Sequence, residues 1–169
     1  MDSPAEAEFT EFMHARWPRL VRLGYGLTGD PGLAEDQAQT ALARAFASWP
    51  RVRRAGDPDA YVRRIMVNAN ISRFRKRRVR EQVMDLPLET LPHPVDATRQ
   101  HDDRSALMAA LTSLPQGQRA VVVLRYWMDM TEAEVAATLG CSVGNVKSQA
   151  SRALAKLRLS SDLAEGKLP

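Results

Sequence analysis

The chain has 169 residues, is 44% hydrophobic and 26% charged, and carries 24 Lys plus Arg against 20 Asp plus Glu, a formal net charge of +4. That length holds one ordinary domain or two small helical ones, and no apolar stretch approaches the roughly 20 residues of a membrane span. One cysteine excludes an internal disulfide framework, and three scattered histidines (His14, His93, His101) lack ligand spacing, so neither a metal nor another cofactor is expected. The N-terminus, MDSPAEAEF, lacks a signal-peptide pattern, and a soluble cytoplasmic protein is expected.

A first helix is expected from about Glu6 to Leu27, with Phe9, Phe12, Met13, Leu20, Leu23 and Leu27 at its apolar positions. Pro18 falls inside that pattern and predicts a kink or break near Trp17. Thr28 to Gly32 (TGDPG) is a turn by composition. The second helix should run from about Pro31 to Trp49 and bury Leu33, Ala34, Ala38, Ala41, Leu42, Ala45 and Phe46. Glu35, Asp36, Gln37, Gln39 and Arg44 line its other side; by themselves they read as a solvated face rather than a docking surface.

Pro50 to Pro58 (PRVRRAGDP) reads as a basic loop, with Asp57 placed to cap a third helix whose first residue is Pro58. That helix should extend to about Arg80, with Tyr61, Val62, Ile65, Met66, Ala69 and Ile71 apolar and Arg63, Arg64, Asn68, Asn70, Ser72 and Arg73 polar. Residues 73–80 hold six basic side chains: Arg73, Arg75, Lys76, Arg77, Arg78 and Arg80. So dense a run is an electrostatic footprint for nucleic acid, although cations also suit a solvated helix C-terminus. Tyr61, Phe74 and the amides Asn68 and Asn70 lie beside it, and stacking groups with amides and cations suit unpaired bases; core packing is an equal role for either aromatic ring.

Met84 to Asp103 changes character: three prolines, no helical stripe, and five acidic residues (Asp85, Glu89, Asp96, Asp102, Asp103) against Arg99 alone. Such composition marks a flexible acidic linker and a domain boundary. Beyond it, Ala106, Leu107, Ala110 and Leu111 form a helical stripe, Ser113-Leu114-Pro115 punctuates, and Gln116 to Trp127 is a further helix with Ala120, Val121, Val123, Leu124 and Trp127 as core candidates.

Thr131 to Leu157 reads as a helix-turn-helix. Thr131 and Glu134 form a capping box, Gly140-Cys141-Ser142 is the turn, and Ser142 caps the second helix. Val146, Ala150, Ala153, Leu154 and Leu157 fall on one face of it; Gly144, Asn145, Lys147, Ser148, Ser151 and Arg152 fall on the other, with no carboxylate among them. A helix docking in the major groove needs that face: donors for base edges, cations for phosphates, nothing to repel the backbone. Cys141 reads as a small buried thiol. The expected fold is therefore all-α: two small helical domains, 1–82 and 105–169, joined by a flexible acidic linker, 83–104, with the helix-turn-helix in the second.

The segments LVRLGYGLTGDPGLAEDQAQTALARAFASW, YVRRIMVNANISRFRKRR and LTSLPQGQRAVVVLRYWMDMTEAEVAATLGCSVGNVKSQASRALAKLR, in this order around an acidic linker, resemble bacterial RNA polymerase sigma factors of the extracytoplasmic-function (ECF) group, and more narrowly the actinobacterial SigE family. The resemblance spans about Phe9 to Arg158. It implies a non-enzymatic promoter-specificity subunit, with residues 1–82 as sigma domain two and 105–169 as sigma domain four. It assigns Leu33, Glu35, Asp36, Gln37, Gln39 and Leu42 to the coiled coil of the largest polymerase subunit, reversing the solvated reading of that helix. It implies minus-ten recognition and melting by Tyr61, Arg64, Asn68, Arg73, Arg75, Lys76 and Arg77, where extruding a base costs a few kcal/mol that stacking and hydrogen bonds must return. Minus-thirty-five recognition falls to Ser142, Gly144, Asn145, Lys147, Ser148, Gln149, Ser151 and Arg152. Implied partners are core polymerase (the largest-subunit coiled coil and the flap of the second-largest subunit), promoter DNA and an anti-sigma factor, with no membrane. Asn145 stands where many relatives carry Thr, and Gln149 where many ECF members carry Arg, which leaves the promoter sequence open. The competing reading is a free-standing helix-turn-helix regulator on duplex DNA, against which stands the lack of a dimerisation helix or effector pocket. A nucleic-acid enzyme would need a carboxylate or metal-ligand cluster that the sequence lacks.

Overall fold

The computed structural model describes residues 3–84 and 102–164; most of the expected linker lies outside the described residues. All regular structure among them is helical. In the first half, α1 (Pro4–Thr28), α2 (Pro31–Ala47), α3 (Trp49–Arg54) and α4 (Pro58–Met84) follow in order. In the second half come α5 (Asp102–Ser113), α6 (Gln116–Val122), a π-helical turn (Val123–Trp127), α7 (Glu132–Leu139) and α8 (Val143–Ala164).

Local chemistry explains most boundaries. Ser3 caps α1 in a capping box with Glu6, and Gly29 ends the helix in the left-handed region at φ 71°. The Asp30 carboxylate accepts from the Leu33 amide at 3.1 Å, starting α2 with Pro31 at its first position. Asp57 does the same for α4, accepting from the Ala60 amide at 2.9 Å.

The expected break at Pro18 does not occur: α1 runs through it. Pro18 and His14, whose carbonyl loses its partner to the proline, are both exposed, so water can take the freed acceptor. The basic loop after Pro50 is largely helix α3. Ser48 Oγ makes no cap, but its carbonyl accepts from Arg51 and Val52, and Trp49 and Val52 are buried three residues apart. The expected single helix from Gln116 to Trp127 divides, because the Met128 amide donates to Val123 and the Met130 amide to Leu124, widening the last turn.

The first half is built on Leu20, Leu23 and Leu27 of α1, the alanine row Ala34, Ala38, Ala41 and Ala45 of α2, and Val62, Met66 and Val67 of α4. An aromatic corner closes one end: Phe9 meets Trp49 edge-on at 5.1 Å and Phe46 at 4.9 Å. Phe46, expected inside, is 47% exposed, with its ring tilted against Phe9. In α5 the buried side chains are Met108 and Leu111, whereas Ala106 and Leu107 of the expected stripe are exposed.

Small residues set the α1–α2 approach. A Cβ on Gly24 would lie 2.9 Å from Ala34 Cα and 3.0 Å from its carbonyl oxygen, both backbone atoms that cannot turn aside. Gly24→Ala is therefore expected to destabilise the protein by about 2 kcal/mol, overpacking outweighing the roughly 1 kcal/mol gained in helix propensity. A urea unfolding curve with an unchanged midpoint would count against that packing.

The two halves share one core. Val123, Leu124, Met128, Val135, Ala136 and Val146 join the same hydrophobic cluster as Leu23, Leu27, Met66 and Val67. At this seam Arg119 Nε donates to the Gly26 carbonyl at 3.0 Å, Arg22 lies over the Trp127 ring at 5.5 Å, and α7 packs on α4.

Candidate nucleic-acid interface

The helix-turn-helix forms as its cap residues require. Thr131 Oγ1 accepts from the Glu134 amide at 3.2 Å, and Glu134 Oε2 accepts from the Thr131 amide at 2.8 Å. Gly140 adopts φ 68°, ending α7, and the Cys141 amide donates to Ala136 at 3.1 Å. Ser142 Oγ accepts from the Asn145 amide at 3.0 Å and starts α8. Val146 and Ala153 are fully buried, and Ala150, Leu154 and Leu157 partly so, which fixes the rotation of α8. Cys141 is half-buried, beside the core.

That rotation turns Ser142, Gly144, Asn145, Lys147, Ser148, Ser151 and Arg152 outward together, with Gln149 half-buried at the margin. Lys147 lies 3.8 Å from Glu132, a contact too exposed to hold it. Sequence reasoning missed three neighbours on the exposed side: Val143, 40% exposed in the first turn, and Lys156 and Arg158 beyond Arg152. Val143 offers an apolar contact of the kind a thymine methyl takes. The four-residue step from Arg152 to Lys156 was the legible signal for the second.

The hydrogen bonds at Thr131 hold the Glu134 carboxyl below the usual carboxylate range, and Arg63 and Arg19 across the seam act in the same direction. A depressed carboxyl contributes stability above its unfolded pKa and loses it as pH falls through the folded one. Thr131→Ala is expected to cost about 1 kcal/mol and to make stability less dependent on pH in the acid range, read from melts between pH 3 and 7.

On α4 the exposed residues Tyr61, Arg64, Asn68, Ser72 and Arg75 follow one another at three- and four-residue steps, and Arg73, Lys76 and Arg77 widen the surface with further cations. Phe74 is 45% exposed and Tyr61 36%, so both rings are accessible for stacking. Asn70 is different: it is buried, and its amide donates to the Leu27 carbonyl at 3.5 Å, joining α4 to the end of α1. Arg51, Arg53 and Arg54 of α3 are exposed as well, with Arg53 bound to Glu8 at 2.6 Å.

Of the residues expected on the polymerase-facing helix, Glu35, Asp36 and Gln39 are exposed and Leu33 is half-buried. Gln37 and Leu42 are buried instead, because they fall on the α2 stripe that packs into the first domain. Their expected exposure is corrected: Leu42 packs in the shared core, and Gln37 is 9% exposed.

A helix-turn-helix with an acid-free outer face, beside a second helical module bearing a cation, amide and aromatic surface, defines a two-module DNA-binding protein. Family models described as "Sigma-70 region 2" and "Sigma-70, region 4" match residues 13–80 and 104–157. The chain is 45% identical over 153 residues to the RNA polymerase sigma-E factor of Streptomyces coelicolor, covering 89% of this chain and 84% of that protein. It is 32% identical over 162 residues to the ECF RNA polymerase sigma factor SigE of Mycolicibacterium smegmatis, covering 93% of this chain and 63% of that one. Among solved structures, the sigma factor RpoE from Bartonella quintana, in complex with the anti-sigma factor NepR, superimposes with a TM-score of 0.74 at 26% identity, covering 92% of this chain and 97% of that chain. The chain belongs to the sigma-70 family of RNA polymerase sigma factors, and within it is an ECF-type sigma factor similar to SigE.

Proposed function

We propose that this sigma factor, without catalysis of its own, binds core RNA polymerase through the exposed part of α2, reads the minus-thirty-five element with α8, and reads and melts the minus-ten element with α4. Residues 1–82 act as sigma domain two, 83–104 as the linker and 105–169 as sigma domain four. The observation that carries the reading is that both DNA faces are formed by exposed polar and cationic side chains on helices fixed by buried ones: Val62, Met66 and Val67 under α4, Val146 and Ala153 under α8. Asn145, Gln149 and Lys147 supply base-edge donors and a phosphate contact; Tyr61, Phe74, Arg64 and Asn68 supply stacking and hydrogen bonds for unpaired bases.

Glu35, Asp36 and Gln39 supply a compact polar patch for the largest-subunit coiled coil, and the second domain meets the flap of the second-largest subunit. The relative solved with NepR supports an anti-sigma factor as a further partner. Action in the cytoplasm accords with transcription and with the fact that no helix among the described residues is long and apolar enough to cross a membrane.

Run-off transcription on a genomic library, with core polymerase plus and minus this protein, tests the reading. Discrete new start sites sharing two upstream elements are expected. No new start sites, together with failure to co-elute with polymerase, would overturn it in favour of a free-standing regulator.

A further inference from the structure

The outward side of α8 has two edges of different chemistry. At four- and three-residue steps Asn145, Gln149, Arg152 and Lys156 follow one edge: two carboxamides, then two cations. Lys147 and Ser151 stand on the other, where Glu132 lies 3.8 Å from Lys147. Between the edges Gly144, Ser148 and Ala155 are exposed and small, so the helix backbone can come close to a groove floor.

Both carboxamides are free to bind. Ser142 Oγ accepts from the Asn145 backbone N–H at 3.0 Å, which fixes Asn145 in the first turn of α8 and leaves its side chain out of the cap. Recognition helices meet base edges with their N-terminal residues. Among the described residues neither the Asn145 nor the Gln149 carboxamide has a hydrogen-bond partner. Asn145 is exposed, whereas Gln149 is half-buried, set closer to the apolar side that Val146 and Ala150 define. The extra methylene of Gln149 makes up that difference in reach. A carboxamide offers one donor group beside one acceptor, and the major-groove edge of adenine offers the complement, N7 accepting and N6 donating. Guanine places two acceptors there, thymine an acceptor beside a methyl group, and cytosine a donor alone. Four residues of helix rise about 6 Å and successive bases about 3.4 Å, so the two carboxamides address positions about two base pairs apart.

We propose that Asn145 and Gln149 read two adenines of the minus-thirty-five element directly, on one strand and about two base pairs apart, each through its N6 and N7 edge. This rests on the sigma reading of α8. It is recognition of base edges, distinct from sensing the stiff, narrow-grooved shape of an adenine-rich duplex.

Holoenzyme made from core polymerase and the full chain is tested on promoters randomised over the minus-thirty-five element, with initiation as the readout. The unaltered chain should require adenine at two positions of one strand. Asn145→Ala should relax one position and Gln149→Ala the other, each preference falling by about tenfold or more. Gln149→Arg should exchange adenine for guanine at its position, a gain that damage to the fold cannot produce. On the best template, 7-deazaadenine keeps Watson–Crick pairing but lacks the N7 acceptor. Placed at either position, it should weaken initiation by the unaltered chain and make no difference to the variant lacking the matching carboxamide. Unchanged base preference in both alanine variants overturns the proposal, as does an unaltered chain that prefers other bases. An equal 7-deazaadenine effect in variant and unaltered chain, or none in either, also overturns it and assigns the adenines to duplex shape. No promoter-dependent initiation by any chain overturns the proposed function itself, and the base assignment falls with it.

Discussion

Alanine at Arg73, Arg75, Lys76 and Arg77 together is expected to abolish open-complex formation at moderate salt while leaving the protein folded. All four side chains are exposed, so their loss touches no core, and substitutions of this kind seldom shift stability by more than about 0.5 kcal/mol each. What they remove is phosphate neutralisation. Each phosphate contact contributes about 0.7–0.9 to the slope of log affinity against log salt, so four contribute about three. A fourfold rise in salt should then cost the unaltered protein about 60-fold more affinity than the variant. The measurement is open-complex formation by holoenzyme across 50–200 mM salt. Parallel lines for variant and unaltered protein would mean that these cations point at solvent and that the α4 surface serves something other than the DNA backbone.

That surface was visible in the sequence because charge cannot be hidden: six cations in eight residues have no apolar reading. The helix-turn-helix was equally visible, since Thr131, Glu134, Gly140 and Ser142 each serve a local backbone need, and local needs are written within four residues. Failures came where the deciding contact is distant or where solvent rescues a broken rule. Pro18 reads as a breaker, but Pro18 and His14 are both exposed, so water can take the carbonyl it orphans. Trp49 and Val52 form a helical pair inside what composition marked as loop, because Trp49 is held by Phe9 and Phe12, about forty residues earlier in the chain. Gln37 and Leu42 were placed on a surface by resemblance, whereas the α2 stripe that the alanines trace already included the Leu42 position. The seam was least legible of all. No local pattern marks Gly26 or Arg119, which meet only across 93 residues of chain.

The same division between buried and exposed side chains makes two neighbouring positions on α8 fail in opposite ways. Val146 is fully buried against the core that includes Val135 and Ala136. Val146→Asp places a carboxylate there without a partner, at a cost of several kcal/mol, comparable with the whole stability of a small domain. The second half should unfold at neutral pH, with loss of helical circular dichroism and of transcription from every promoter. Burial would raise the introduced carboxyl's pKa above its unfolded value, so the deficit should shrink as pH falls toward the unfolded pKa and the group enters neutral. Lys147→Glu, one residue on, should leave the helix and its melting temperature nearly unchanged, because the Lys147 side chain is 65% exposed and its pairing with Glu132 is slight. Its damage falls on DNA: a carboxylate replaces a cation against the phosphates, and transcription should fall most at promoters that depend on the minus-thirty-five element and least where that element is scrambled. Equal loss at both promoter types, with the fold intact, would remove α8 from minus-thirty-five recognition. Unfolding by Lys147→Glu would instead show that the outer face of α8 packs against protein, and the rotation fixed by Val146 and Ala153 would have to be redrawn.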